Sequence, residues 1–125
     1  MKNKIFKNSI STTRIGQKFE YQALLYLENN GFSLITKNYI SAWGEIDLIV
    51  KNTNLIAFIE VRARNSKNYG GAIYSITPSK QSKIITTANF FMQKHQNYKS
   101  YDYRFDVILF QNNKIEWIQN CINEF

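Results

Sequence analysis

The stretch Leu55-Ile56-Ala57-Phe58-Ile59-Glu60-Val61 is the strongest constraint on this chain, because it is apolar on both of its alternating faces until Glu60 interrupts it. A strand of that kind needs cover on both sides, so it belongs in the middle layer of an α/β fold rather than in a half-exposed sheet. The flanking segments supply that cover. Ile15, Phe19, Ala23 and Leu27 recur every fourth residue from Thr13 onward and stop at Asn29-Asn30-Gly31, which predicts a first helix. Thr77-Pro78 is an N-cap followed by proline at the first helical position. Ile84, Ile85, Ala88, Phe91 and Met92 then follow at helical spacing, predicting a second helix.

Strands are predicted over 33–39, 45–51 and 55–63 as an antiparallel meander, and over 103–110 and 114–118, joined by the polar turn Gln111-Asn112-Asn113. The order is αβββαββ. Residues 64–76, with Lys67, Tyr69, Gly70 and Gly71, lack periodicity and are expected to form a surface loop. Residues 1–12 carry Lys2, Lys4 and Lys7 without apolar spacing and are expected to be a mobile basic arm, leaving 13–125 as a single domain.

Charge narrows the partner. Sixteen Lys and Arg against nine Asp and Glu give a net +7, which favours polyanions, with nucleic acid first among them. One cysteine, Cys121, and one histidine, His95, exclude an internal disulfide and a clustered zinc site. No stretch approaches the ~20 apolar residues needed to span a bilayer, and Met1 to Lys7 lack the apolar run of a secretory signal, so a cytoplasmic protein without membrane contact is expected.

The chemistry is concentrated in Gly44-Glu45-Ile46-Asp47-Leu48-Ile49 and Phe58-Ile59-Glu60-Val61-Arg62-Ala63-Arg64. A two-residue turn at Thr53-Asn54 pairs Asn52 with Leu55 and, by counting back, sets Asp47 opposite Glu60 and Glu45 opposite Arg62, all facing one way. Opposed carboxylates ~5 Å apart repel and require a compensating cation or a proton. Oxygen donors of this kind suit Mg²⁺ or Mn²⁺, which polarises a phosphate and lowers the pKa of bound water. Arg62 would steady the phosphate or nucleophile; a plain cross-strand ion pair is the alternative. Glu20, on the border of the first helix's apolar face, is a candidate to converge on the same point, or else a solvated partner of Lys18. Arg64, Lys67 and Lys83 flank the site as phosphate-neutralising candidates, with Tyr69 and Trp43 as stacking candidates beside glycine. Asp106 is expected to be a structural partner of Arg104 on one strand face.

An acidic helix residue, then Asp on one strand and Glu-x-Arg on the next, resembles the PD-(D/E)XK nuclease superfamily, and more specifically the YraN family. The resemblance is carried by Gly16 and Glu20, Asn38, the two segments quoted above, Tyr69-Gly70, Lys80-Gln81, Ala88, Arg104-Phe105-Asp106 and Glu116-Trp117. It implies a restriction-endonuclease-like αβββαββ core with a mixed central sheet flanked by helices, similar to Holliday-junction resolvases that cut branched DNA as homodimers. It further implies Asp47 and Glu60 as Mg²⁺ ligands, Glu20 as a supporting acid, Gln81 near the scissile phosphate and Lys80 in contact with the nucleic-acid backbone. The departure is Arg62, where the superfamily pattern has Lys. A guanidinium stays protonated and cannot act as a base, so a noncatalytic nucleic-acid-binding module is the competing reading. A protein-interaction domain, with Glu45 and Arg62 purely structural, is a third.

Overall fold

The computed structural model describes residues 15–64 and 76–122. The expected arm at 1–12 and most of the expected loop, with Lys67, Tyr69 and Gly70, lie outside the described residues. The elements are α1 (Gly16–Asn29), β1 (Ser33–Ile40), β2 (Glu45–Lys51), β3 (Leu55–Arg64), α2 (Pro78–Lys94), β4 (Asp102–Gln111) and β5 (Lys114–Ile118), with a short 3-10 turn over Gln96–Tyr98 before β4. The order αβββαββ is the one the sequence predicts.

The five strands form one sheet in chain order. β1, β2 and β3 are the expected antiparallel meander. β4 runs parallel to β3, from Leu55↔Asp102 to Arg64↔Gln111, and β5 returns antiparallel. The sheet is therefore mixed, and the parallel step is made possible by α2, which carries the chain back to the start of β3.

Cover on both faces is what the sequence of β3 demands. Ile56 and Phe58 join Ile84, Ala88 and Phe91 of α2 in one core, while Ala57 and Ile59 join Ala23 and Leu27 of α1 in the other. Odd and even residues of β3 thus look into different layers. The helix ends follow their local chemistry. Gly31 takes φ +92°, a left-handed conformation, as α1 ends. Thr77 Oγ1 accepts a 3.1 Å hydrogen bond from Lys80 N–H, with Pro78 as the first residue of α2.

Asn52 closes the β2–β3 hairpin. Its Oδ1 accepts from Asn54 N–H (3.1 Å) and Leu55 N–H (2.9 Å), and its own N–H donates to Leu55 O (3.0 Å). The register that follows pairs Lys51 with Ile56, Val50 with Ala57, Ile49 with Phe58 and Leu48 with Ile59. This is the counting expected from the two-residue turn. The β4–β5 hairpin closes equally tightly through Asn112 (φ 56°) and Asn113 (φ 61°), the left-handed pair that a type I′ turn requires.

Candidate functional site

Asp47 and Glu60 are only 6% and 7% exposed, in a sheet whose other buried residues are almost all apolar. Phe58 packs in the α2 core, so Glu60, two residues further along β3, lies on the α2 side by alternation; Asp47 lies between Ile46, in that same core, and Leu48, in the α1 core, so β2 breaks its alternation at this residue.

The Cα pairing between β2 and β3 stops at Leu48↔Ile59, one rung short of the expected Asp47–Glu60 and three short of Glu45–Arg62. Beyond it the Asp47 side chain takes over from the backbone: Val61 N–H donates to Asp47 Oδ2 at 2.8 Å. The carboxylate fills the place of a ladder carbonyl, which lets the strands separate without stranding a buried N–H.

Glu60 is compensated by side chains. Lys80 Nζ lies 3.2 Å from Glu60 Oε2, and Arg62 Nη2 lies 3.6 Å from the same oxygen. Three expectations change here. Arg62 pairs with Glu60 along its own strand rather than across to Glu45. Lys80, expected only as a backbone contact, reaches into the acidic pair from the first turn of α2. The pair is also not held by a metal alone, since Glu60 already faces two cations. Arg62 Nε is buried and has no hydrogen-bond partner among the described residues, so this guanidinium retains donor capacity beyond its contact with Glu60.

The other candidates fall around this centre. Gln81 turns back on its own layer, where Nε2 donates to Ile76 O at 2.8 Å and anchors the chain entering α2. Glu20 projects from α1 and accepts from Asn38 Nδ2 at 3.1 and 3.3 Å. Lys37↔Leu48 and Tyr39↔Ile46 bracket Asn38, which therefore stands across from Asp47. Its left-handed backbone (φ 51°) accompanies that contact with Glu20 in the α1 layer. Through Asn38, Glu20 is linked to the strand position that faces Asp47. Among the described residues no three His, Cys, Asp or Glu side chains form a group able to hold a metal ion.

A hydrated hard cation is nevertheless chemically compatible with the donor set. Two buried carboxylates on adjacent strands offer oxygen ligands only, and Mg²⁺ or Mn²⁺ needs few protein ligands because it keeps several waters.

Around the centre, Lys83 is exposed on α2, close beside Gly44. The β1–β2 turn is tied to α2 by Ser41 Oγ and Thr87 Oγ1, 3.0 Å apart, and Trp43, 47% exposed, packs against Phe90 with ring centroids 5.2 Å apart. Arg64 ends β3. Asp106 is structural, as expected. Fully buried, it accepts from Arg104 Nε (3.0 and 3.1 Å), Trp117 Nε1 (2.9 Å) and Asn120 N–H (2.8 Å). Sequence reasoning missed the Val61 N–H and the Asn38 amide as partners of the acids. An Asn at a strand position, a residue tolerant of left-handed backbone, is the signal for the second.

The model of the uncharacterised protein family UPF0102 matches residues 19–110. The chain belongs to the UPF0102 family. A UPF0102 protein of Enterobacter sp. strain 638 is 40% identical over 116 residues, covering 92% of this chain and 88% of that protein. The UPF0102 protein YraN of Escherichia coli O1:K1 is similar to the same degree, 40% over 116 residues with the same coverage. The 1.6 Å structure of Archaeoglobus fulgidus Hjc, a Holliday junction resolvase from an archaeal hyperthermophile, is similar in fold, with a TM-score of 0.52 and 20% identity over 81% of this chain and 72% of that one. This UPF0102 chain thus has a resolvase-like, nuclease-like α/β fold. No helix among its described residues is long and apolar enough to cross a membrane.

Proposed function

We propose that this UPF0102 protein is a cytoplasmic, metal-dependent nuclease that hydrolyses phosphodiester bonds in branched or otherwise structured DNA, acting as a homodimer. The observation that carries the reading is the placement of two buried carboxylates, Asp47 and Glu60, where β2 and β3 separate, with Lys80 and Arg62 beside Glu60. A buried acidic pair ringed by cations is costly as mere structure and is the composition a phosphoryl-transfer site needs. The Archaeoglobus protein with the similar fold is a Holliday junction resolvase, which makes branched DNA the substrate class to test first.

In this reading Asp47 and Glu60 hold Mg²⁺ or Mn²⁺, which when bound neutralises charge on the phosphate and favours ionisation of water. Asp47 is held in place by the Val61 N–H. Arg62 and Lys80, drawn to Glu60 in the resting site, turn toward the phosphate, and the buried Arg62 Nε supplies a donor for it. Glu20 supports the β1 edge through Asn38, and Gln81 sets the start of α2 and so the reach of Lys80. Arg64 and Lys83 neutralise flanking phosphates, Lys67 is assigned the same task, and Tyr69 is assigned to stacking on a base.

Purified protein incubated with four-way, flap and single-stranded DNA in Mg²⁺ and in Mn²⁺ is expected to cleave at least one of them. Cleavage that survives Asp47→Ala unchanged would place the activity elsewhere. Mn²⁺ titration followed by electron paramagnetic resonance gives an independent readout: bound ion in the wild type and none in Asp47→Ala. The second reading, a noncatalytic nucleic-acid-binding module, is favoured by one specific feature: Arg62 cannot deprotonate water. Salt-sensitive binding of the same substrates without cleavage would establish it.

A further inference from the structure

A second basic surface lies at the far end of β3. A cleft of about 850 Å³ opens between α1, the last residues of β3 and the β4–β5 hairpin. Its floor is apolar, formed by Phe19 and Phe110 with ring centroids 4.9 Å apart. Its walls carry three cations, Lys18, Arg64 and Lys114, together with the amides of Gln22, Asn112 and Asn113. Among the described residues lining it there is no carboxylate.

We infer that this cleft binds the sugar-phosphate backbone of a nucleic-acid strand running on from the acidic centre; the inference rests on the nucleic-acid reading proposed above. Three features support it together. Lining that combines cations and amides with no acid is selective for an anion, and amides add hydrogen bonds to phosphate oxygens that bare charge does not. Lys18 and Lys114 are exposed, on α1 and on the β4–β5 hairpin, and Arg64 stands between them at the strand end, so the charges track along a groove rather than meeting at one point. Arg64 connects the cleft, on the α1 face, with the acids: it lines the cleft at the end of β3 and lies four residues, roughly 13 Å of strand, from Glu60. That length corresponds to about four nucleotides at ~3.4 Å of rise each. The tight Asn112-Asn113 turn holds Lys114 against this wall without a flexible loop.

The test is fluorescence anisotropy of labelled duplex and four-way DNA, without divalent metal, over 50 to 200 mM salt. It compares wild type, the cleft pair Lys18→Gln/Lys114→Gln, and a control pair Lys51→Gln/Lys99→Gln. The control removes the same charge near the opposite end of the sheet, where Asp102 N–H donates to Asn54 O. Each phosphate contact contributes about 0.9 to the slope of log affinity against log salt, so the cleft pair is expected to reduce that slope by ~1.8. The control pair should leave it close to wild type. Thermal melts establish that both variants are folded, with Lys18, Lys99 and Lys114 exposed and Lys51 half-buried. Wild-type binding with equal slopes in the cleft and control pairs overturns the cleft while leaving the proposed function standing. Absence of any wild-type binding overturns both.

Discussion

Replacing Lys80 by methionine isolates the electrostatics of the candidate site, because it keeps most of the stem and removes the ammonium that lies 3.2 Å from Glu60. At that distance an ion pair is worth ~5 kcal/mol gross at an effective dielectric of ~20. Much of that is lost to desolvation of Glu60, whose side chain is 8% exposed, and to screening of Lys80, which is 35% exposed. Arg62, at 3.6 Å, continues to offset part of the charge. The expected net cost lies between that of a surface pair and that of a broken buried pair, at about 1.5 kcal/mol, which lowers Tm by roughly 5 °C for a chain of this size. The assay is thermal unfolding at pH 7 in EDTA for wild type, Lys80→Met, Glu60→Gln and the double variant, which yields the coupling free energy. Divalent cation adds a second, opposite expectation. With the competing ammonium gone, Mg²⁺ or Mn²⁺ should raise the Tm of Lys80→Met by more than that of the wild type. Additive single effects in the cycle would refute the view that Lys80 neutralises Glu60.

Other consequences follow from the same physics. Asp106→Asn keeps the shape but gives Arg104 no anion and sets an amide N–H₂ among three donors, so stability should fall by ~3–5 kcal/mol, measured by urea unfolding. The Cys121 thiol is pushed up to about 11 by burial and, secondarily, by the negative charge of Asp106. It should therefore react with a thiol reagent at pH 8 roughly 100-fold more slowly than the unfolded chain does. Its contribution to stability, fully present below the ordinary thiol range, should be lost as pH rises through about 11, which alkaline melts would detect. Gly31→Ala meets no atom within 4 Å but places a side chain at φ +92°, so a cost of ~1–2 kcal/mol arises from backbone strain alone and should appear as a lower melting temperature.

What could be read in advance divides by range. The hairpin register was legible because Asn52-Thr53-Asn54 is a local turn signal and every later rung follows from it. Both-sided cover of β3 was legible because no other arrangement hides seven residues of that composition. The Asp106 network was legible in part: Arg104 shares its strand face, whereas the Trp117 and Asn120 donors come from beyond the β4–β5 turn. The pairing of Lys80 with Glu60 was not legible, because it depends on how α2 docks across the sheet, and helical periodicity gives a face but no axial position. The same holds for Gln81, whose amide found the nearer Ile76 carbonyl. The contact of Glu20 with Asn38 was not legible either, because the layer in which α1 packs is a tertiary fact.

The parallel pairing of β3 with β4 bears on the order in which the site assembles. Asp47 and Glu60 belong to a hairpin closed by a two-residue turn, a contact that forms at microsecond speed, whereas α2 and β4 must cross back over the sheet and close a much longer loop. Loop-closure entropy thus favours pairing of the two acids ahead of the arrival of Lys80, and in that order of assembly ions in the surrounding solvent would be the first partners available to them.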